Sequence, residues 1–130
     1  MSSAYHFMKK TTSLLLFLTL ISCFKAEQNC ANFKTGKFKF SQEINGKKQI
    51  TTFIRIKDLQ IETYNSKTDT ATVRWVNDCE FILQKIHPKN RIEKKAISMK
   101  ILNTYGKTYT FEYSFVGESK KQTGIVTKTD

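Results

Sequence analysis

The feature that most constrains the fold is an alternation of apolar and polar residues near the end of the chain. Between residues 108 and 115, four aromatic side chains alternate with threonine, glutamate and serine. A second alternating run lies at residues 97 to 101, and Tyr105-Gly106-Lys107 stands between the two. Successive side chains of a strand point to opposite faces, so this spacing predicts an antiparallel β-hairpin with one buried face.

Turn signals repeat this unit along the chain. Asn45-Gly46 favours a two-residue hairpin turn because both residues tolerate positive φ, which predicts a first hairpin at roughly residues 36 to 57. The following strand ends at Asn65-Ser66-Lys67. One face of the second strand of the first hairpin carries Ile50, Thr52, Ile54 and Ile56.

Two further strands, at residues 70 to 76 and 79 to 86, flank Asn77-Asp78, a predicted two-residue turn. Pro88 ends the second of them, because proline has no N–H to donate to a ladder. A last strand is predicted at residues 123 to 128. Seven or eight antiparallel strands with tight turns predict an all-β meander that forms a small barrel or half-barrel.

Two interpretations fit the aromatic row of the last hairpin. Interleaved aromatics in a basic protein can stack on single-stranded nucleic acid, but the buried face of a strand needs the same pattern, and we favour core packing. Trp75 is likewise interpreted as a core anchor or interface residue. If the barrel encloses a ligand cavity, we expect its lining to include Ile101, Phe111 and Phe115.

An apolar block near the amino end predicts an export signal. Lys9 and Lys10 precede eight almost wholly apolar residues, Leu14 to Ile21. A membrane-spanning helix needs about 20 apolar residues, so this block is too short to span and is typical of a cleaved signal peptide. Its end, Leu20-Ile21-Ser22-Cys23, resembles the lipobox of bacterial lipoproteins.

The lipobox resemblance implies cleavage between Ser22 and Cys23, and a thiolate on Cys23 that accepts a diacylglycerol. Two or three acyl chains hold a protein firmly on a membrane, whereas one chain does so only marginally. We therefore expect a signal peptide at residues 1 to 22, a lipidated tether at residues 23 to 32 and a single β domain at residues 33 to 130.

Cysteine usage points to a covalent link within the exported domain. Setting Cys23 aside leaves Cys30 and Cys79, and an even pair outside the cytosol predicts a disulfide. The alternative is a reactive or metal-binding pair. That alternative would need activating neighbours, and the chain after the signal offers one histidine, His87, with no Cys-x-x-Cys spacing.

The chain after the signal is strongly basic. Lys9 and Lys10 account for two of the 22 Lys and Arg residues, which leaves 20 against 11 Asp and Glu and a formal charge of +9. Of the 22, only Arg55, Arg74 and Arg91 carry the guanidinium group suited to phosphate and base recognition. With an export signal, this pattern argues against nucleic acid. It favours anionic lipid or polysaccharide as the binding partner of the basic surface, or a compositional bias that serves no partner.

Catalytic motifs are not found. The sequence has no Gly-x-Ser-x-Gly, no His-Glu-x-x-His and no glycine-rich phosphate loop. Asp78 and Glu80 flank Cys79, but acids at a hairpin turn are usually solvated, so we interpret them as turn residues. We expect neither enzyme activity nor a bound cofactor or metal.

Two motifs resemble a group of short bacterial lipoproteins whose biochemical role is unassigned. Residues 29 to 38 follow the pattern N-C-x-x-F-K-T-G-x-F, and residues 75 to 80 follow W-x-x-D-C-E. The resemblance implies a lipid anchor, a Cys30 to Cys79 bridge and an all-β fold. Some members carry a DNA topoisomerase IV label. Removal of a 22-residue signal from the 130-residue chain leaves 108 residues. A domain of that size has no room for DNA cleavage and strand passage, which contradicts the label.

The residues after the lipidated cysteine indicate a destination. In lipoproteins of this type, a residue other than Asp at that position implies passage to the outer membrane, and here the residue is Phe24. A dense acidic run, which would imply surface export, is missing, because Glu27 stands alone. We expect an outer-membrane lipoprotein that faces the periplasm. Asp69-Thr70-Ala71 also resembles an O-glycosylation acceptor used by some of these bacteria, with Thr70 as the modified residue.

Two functions from different classes fit these observations. The one we favour from the sequence is a structural or accessory envelope lipoprotein that works through contacts with another envelope protein. The other is a lipocalin-like binding module whose barrel holds a small apolar or anionic ligand. A cavity favours the binding module, whereas a filled core with an exposed apolar patch favours the accessory role.

We expect Cys23→Ser to release the protein from the membrane fraction, because a serine hydroxyl does not replace the thiolate that accepts the lipid. Fractionation of cells and mass spectrometry of the amino terminus measure the effect. Ser22→Ala keeps a small residue before the cleavage point and should stay anchored. Recovery of the Cys23→Ser variant in the membrane fraction at the level of the wild-type protein contradicts the lipid anchor.

Overall fold

The computed structural model describes residues 26 to 130, so the predicted signal peptide, with Ser22 and Cys23, lies outside the described part of the chain. A short 3-10 helix, Cys30–Phe33, precedes eight strands. The strands are β1 (Gly36–Ile44), β2 (Lys47–Ile56), β3 (Leu59–Tyr64), β4 (Lys67–Trp75), β5 (Glu80–Lys85), β6 (Ile97–Tyr105), β7 (Thr108–Phe115) and β8 (Gln122–Lys128).

The eight strands form one closed barrel. Each strand pairs antiparallel with the next in sequence, and β1 also pairs with β8, where Phe38 lies opposite Lys128 and Phe40 opposite Val126. Closure satisfies backbone groups that an open sheet would leave unpaired at its edges. The predicted all-β meander is therefore confirmed, and it is a barrel rather than a half-barrel.

Tight turns set the registers of the hairpins. The predicted turn at Asn45-Gly46 has φ values of 54° and 75°, and it places Phe38 opposite Phe53 across β1 and β2. Asn65-Ser66 separates β3 from β4 with φ values of 47° and 61°. Asn and Gly adopt left-handed conformations at low cost, so the turns lie where the sequence predicts them.

The connection between β4 and β5 is longer than predicted. β4 ends at Trp75 and β5 begins at Glu80, so residues 76 to 79 replace the expected two-residue turn. Cys79 lies in this loop, where its Sγ is bonded to Cys30. Its backbone N–H donates to the Asn77 side-chain oxygen (2.9 Å) instead of joining the ladder.

The isoleucine face of β2 points outward. Ile50 and Ile56 are 44% and 53% exposed, whereas Phe53 and Arg55 point into the barrel and are 7% and 1% exposed. The turn register explains this orientation, because directly opposed residues of a hairpin share a face and the partner of Phe53 is buried. Apolar content alone would predict the opposite orientation for this strand.

Aromatic side chains dominate the interior. Trp75 packs against both clusters of buried residues, with its ring centre 4.5 Å from that of Phe81. Tyr109 and Phe111 of the aromatic row are buried, which confirms core packing for this half of the row. The larger cluster consists of Cys30, Phe33, Phe38, Phe53, Ile101, Tyr109, Phe111 and Val126.

The segment before β1 closes one end of the barrel, and we call residues 27 to 33 the plug. Phe33 is buried, the Asn29 N–H donates to Thr104 Oγ1 (2.9 Å), and the Thr104 N–H donates to the Glu27 carbonyl oxygen (2.8 Å). The packed domain thus begins before residue 33, the boundary expected from the sequence.

The predicted disulfide is present and joins the plug to the β4–β5 loop across a sequence separation of 49. We expect Cys79→Ala to lower the free energy of unfolding by about 2 to 5 kcal/mol, the usual effect of losing a bridge in a small exported domain. Chemical denaturation under oxidising conditions measures the change.

A double variant, Cys30→Ala with Cys79→Ala, controls for the thiol that the single variant leaves free. It should lose a similar free energy and should not respond to reductant. Unchanged stability in both variants contradicts a stabilising bridge.

Candidate functional site

A cavity of about 260 Å³ occupies the half of the barrel away from the plug. Because the strands alternate in direction, the connections after β1, β3, β5 and β7 all lie at this end. Exposed Gln42 and half-buried Thr51 line its rim. The walls are mostly apolar and include Phe40, Phe53, Met99, Phe111, Tyr113 and Val126.

The aromatic wall of the cavity consists of inward-pointing rings that pack over one glycine. Phe40 on β1, and Phe111 and Tyr113 on β7, occupy inward positions of their strands. Between them on β8 lies Gly124, where a Cβ atom would stand 2.6 Å from Phe111 Cζ and 2.9 Å from Phe40 Cε2. Only glycine leaves room here for both rings.

Arg55 lies at the base of the cavity with its guanidinium group enclosed. Its Nε donates to Gln60 Oε1 (2.9 Å), its Nη1 to the Phe33 carbonyl oxygen (2.5 Å) and its Nη2 to the Tyr109 hydroxyl oxygen (2.6 Å). All three acceptors are neutral groups. Across residues 26 to 130, no carboxylate oxygen lies within 4.0 Å of this guanidinium.

Four aromatic rings surround the same cation. The distances from Arg55 Cζ to the ring centres are 4.6 Å for Phe81, 4.7 Å for Phe38, 5.2 Å for Phe53 and 5.8 Å for Tyr109. A desolvated cation–π contact contributes about 2 kcal/mol or more. These contacts offset part of the free energy lost when a charge leaves water.

The polar groups at the base continue up one wall. Burial raises the pKa of Tyr109 above its ordinary value, and the neighbouring Arg55 charge opposes this rise without cancelling it. Tyr109 is therefore a neutral phenol that accepts a hydrogen bond from Arg55 and keeps its own proton. Gln60 Nε2 donates to Glu62 Oε1 (2.8 Å), which links the base to a carboxylate on the wall.

A second cavity of about 210 Å³ adjoins the first and shares Glu62, Leu83 and Ile97 with it. In its wall, Lys85 Nζ lies 2.8 Å from Asp69 Oδ2 and 2.7 Å from Glu93 Oε1. Glu93 belongs to the loop between β5 and β6. This ion cluster, Asp69–Lys85–Glu93, therefore ties that loop to the barrel wall.

The ion cluster shifts three pKa values. Hydrogen bonding to Lys85 lowers the pKa of Asp69 below its ordinary 3.8. The same contact lowers the pKa of Glu93 below 4.5, with help from the Lys89 backbone N–H (2.8 Å). Burial by itself lowers the pKa of Lys85, but its bonds to the two carboxylates outweigh burial and raise that pKa above 10.5.

The side chains predicted to line a cavity occupy three different places. Phe111 lines the first cavity, as expected. Phe115 lines the second, with Lys95 Nζ 5.0 Å from its ring centre. Ile101 is fully buried in the core cluster beneath. Thr70 is half-buried beside the second cavity, and its glycosylation stays a prediction.

The residues at the base of the cavity were not predicted from the sequence. Arg55 can be recognised as an inward-pointing residue only when the inward face of β2 is known. The isoleucines of that strand suggest the wrong face. The Asn45-Gly46 turn carries the missing signal. A two-residue turn pairs Phe38 with Phe53, and Arg55 lies two positions further along the same face.

Comparisons with known protein families, curated proteins and solved structures find no match to this chain. Between residues 26 and 130, no helix is long and apolar enough to cross a bilayer. The same residues contain no group of three or more His, Cys, Asp or Glu side chains arranged to hold a metal ion.

The ion cluster predicts a loss of stability in acid. The folded-state pKa values of Asp69 and Glu93 lie below the ordinary 3.8 and 4.5, so their contribution is complete above those values and is lost as pH falls below them. Denaturant midpoints measured between about pH 6 and about pH 3 follow this loss.

Lys85→Met removes the cation and should flatten that acid dependence. Lys39→Met, at an exposed position outside the cluster, is the matched control and should keep it. Equal acid dependence in wild type and Lys85→Met contradicts the role given to the cluster.

Proposed function

We propose that this protein is a lipid-anchored binding module of the cell envelope whose barrel holds a small ligand with an apolar body. The observation that carries the proposal is the cavity of about 260 Å³ at the open end of the barrel, with aromatic walls and a few converging polar groups at its base. Ligand sites generally combine a mostly apolar lining with a small number of placed polar groups.

The size of the cavity supports a small ligand. Sites for drug-sized molecules have volumes of about 300 to 1,000 Å³. A cavity of about 260 Å³ lies just below that range and suits a single ring or a short chain. The role is binding rather than catalysis.

The position of the anchor supports the same function. The lipobox cysteine, Cys23, precedes the plug, and the cavity opens at the opposite end of the barrel. A lipid on Cys23 would therefore leave the opening directed away from the membrane. We propose an outer-membrane location facing the periplasm, where the lysine-rich surface suits anionic lipid or polysaccharide.

The outer face of β2 and β3 favours a second candidate, an accessory role through contacts with another envelope protein. Ile54 lies opposite Ile61 and Ile56 opposite Leu59 on this face, and Ile56 and Leu59 are 53% and 38% exposed. Exposed apolar patches of this kind mark protein interaction sites. The cavity gives the binding module the stronger support.

Benzoate and benzamide are suitable probes for the binding module, because each is one flat ring with one polar group. We expect at least one of them to bind the full-length chain saturably in an NMR titration. Thr51→Trp should raise its Kd about tenfold or more, because an indole at this inward-facing rim position blocks the opening.

Thr52→Trp is the matched control. Thr52 is the next residue of the same strand, but it points outward and is exposed, so an indole there should leave the Kd unchanged. Failure of both probes to bind, or equal Kd values for the two tryptophan variants, contradicts a ligand site in the barrel.

A further inference from the structure

The charge at the base of the cavity is not balanced by a direct partner. Arg55 is 1% exposed, and its hydrogen bonds go to an amide, a backbone carbonyl and a phenol. A guanidinium group has five N–H donors, and three protein bonds account for three of them. Burying a cation without a counter-charge is unfavourable, so an anion placed at this base would be stabilised.

The nearest carboxylate in the hydrogen-bond network of Arg55 belongs to Glu62, and the side-chain amide of Gln60 separates the two. Gln60 stands between Arg55 and Glu62, accepting from the first and donating to the second. Glu62 also lines the second cavity, whose lining includes the basic residues Lys85 and Lys95. Its carboxylate therefore compensates Arg55 only from a distance, and it opposes the entry of more than one negative charge.

Tyr109 supplies a second group that favours an anion. Its oxygen accepts from Arg55 Nη2, and its hydroxyl proton has no acceptor among residues 26 to 130. Both side chains line the cavity. An anionic oxygen at the base could accept from the guanidinium and from the phenol at once, and such charge-assisted bonds are about twice as strong as neutral ones.

The remainder of the lining suits an apolar, flat body. Phe40, Phe111 and Tyr113 form one wall, with ring centres 5.6 Å apart for each neighbouring pair. Met99 and Val126 line the same space and add aliphatic surface. Aromatic rings pack well in offset or edge-to-face contact with such walls.

We propose that the cavity binds a small monocarboxylate with an aromatic or short aliphatic body, its carboxylate held by Arg55 and Tyr109 and its body against the Phe40–Phe111–Tyr113 wall. This ligand class rests on the proposed function, because it assumes that the cavity is a binding site. One guanidinium selects a single negative charge, and the carboxylate of Glu62 disfavours a dianion.

Three probes of nearly one shape test the ligand class on the wild-type full-length chain. Benzoate, benzamide and benzamidinium share a ring and a planar three-atom group, and they differ in charge. We expect benzoate to bind about tenfold or more tightly than benzamide, and benzamidinium to bind most weakly, in an NMR titration. Equal or tighter binding of benzamide, or tightest binding of benzamidinium, overturns the proposal.

The same titration separates the two claims. Binding of neither benzoate nor benzamide rejects the ligand site itself, whereas binding without preference for benzoate rejects only the carboxylate class. Arg55→Met replaces the unbranched stem of the side chain with one of similar apolar character and removes the guanidinium group, so it should bring the Kd of benzoate up to that of benzamide. Tyr109→Phe keeps the ring and should weaken benzoate several-fold. Unchanged benzoate affinity in a folded Arg55→Met variant also overturns the proposal.

Discussion

The hydrogen bonds of the enclosed Arg55 guanidinium group hold the interior of the barrel together. The group bonds to the plug through Phe33, to β3 through Gln60 and to β7 through Tyr109, and so joins three parts of the chain that lie far apart in sequence. A hydrogen bond to a charged group contributes about 1.5 to 3 kcal/mol, so losing all three together would be strongly destabilising. The same group ends the apolar core and begins the polar base of the cavity.

The two ends of the barrel are built differently. At the plug end, the disulfide, the 3-10 helix and the buried aromatic rings fill the interior. At the open end, half-buried Tyr113 and Phe115 face cavities, and the Asp69–Lys85–Glu93 cluster ties the β5–β6 loop to the wall. A filled end where the described chain begins and a cavity at the other end suit the proposed tethered binding module.

Local signals in the sequence predict the strands well. Alternation and turn residues depend on neighbours only, so Asn45-Gly46 and Tyr105-Gly106-Lys107 identify their hairpins correctly. Barrel closure is a long-range property, since β1 meets β8 through pairs such as Phe40 with Val126. No local pattern distinguishes that closed sheet from a half-barrel.

The site was only partly predictable for a related reason. Phe111 was expected in the lining, but Arg55 was missed because Ile54 and Ile56 make the other face of β2 more apolar. That apolar face is on the outside, and the turn register, not hydrophobicity, decides the orientation. The disulfide was predictable from an even cysteine pair in a domain that the sequence predicts to be exported, whereas its effect on the β4–β5 loop was not.

NMR spectroscopy of the Arg55 guanidinium group tests the central claim most directly. We expect its Hε and Hη protons to give separate signals that exchange slowly with water, because the group is enclosed and hydrogen-bonded, and we expect these signals to move when benzoate is added. Fast exchange with water and signals that do not respond to benzoate would contradict a buried cation at the base of a carboxylate site.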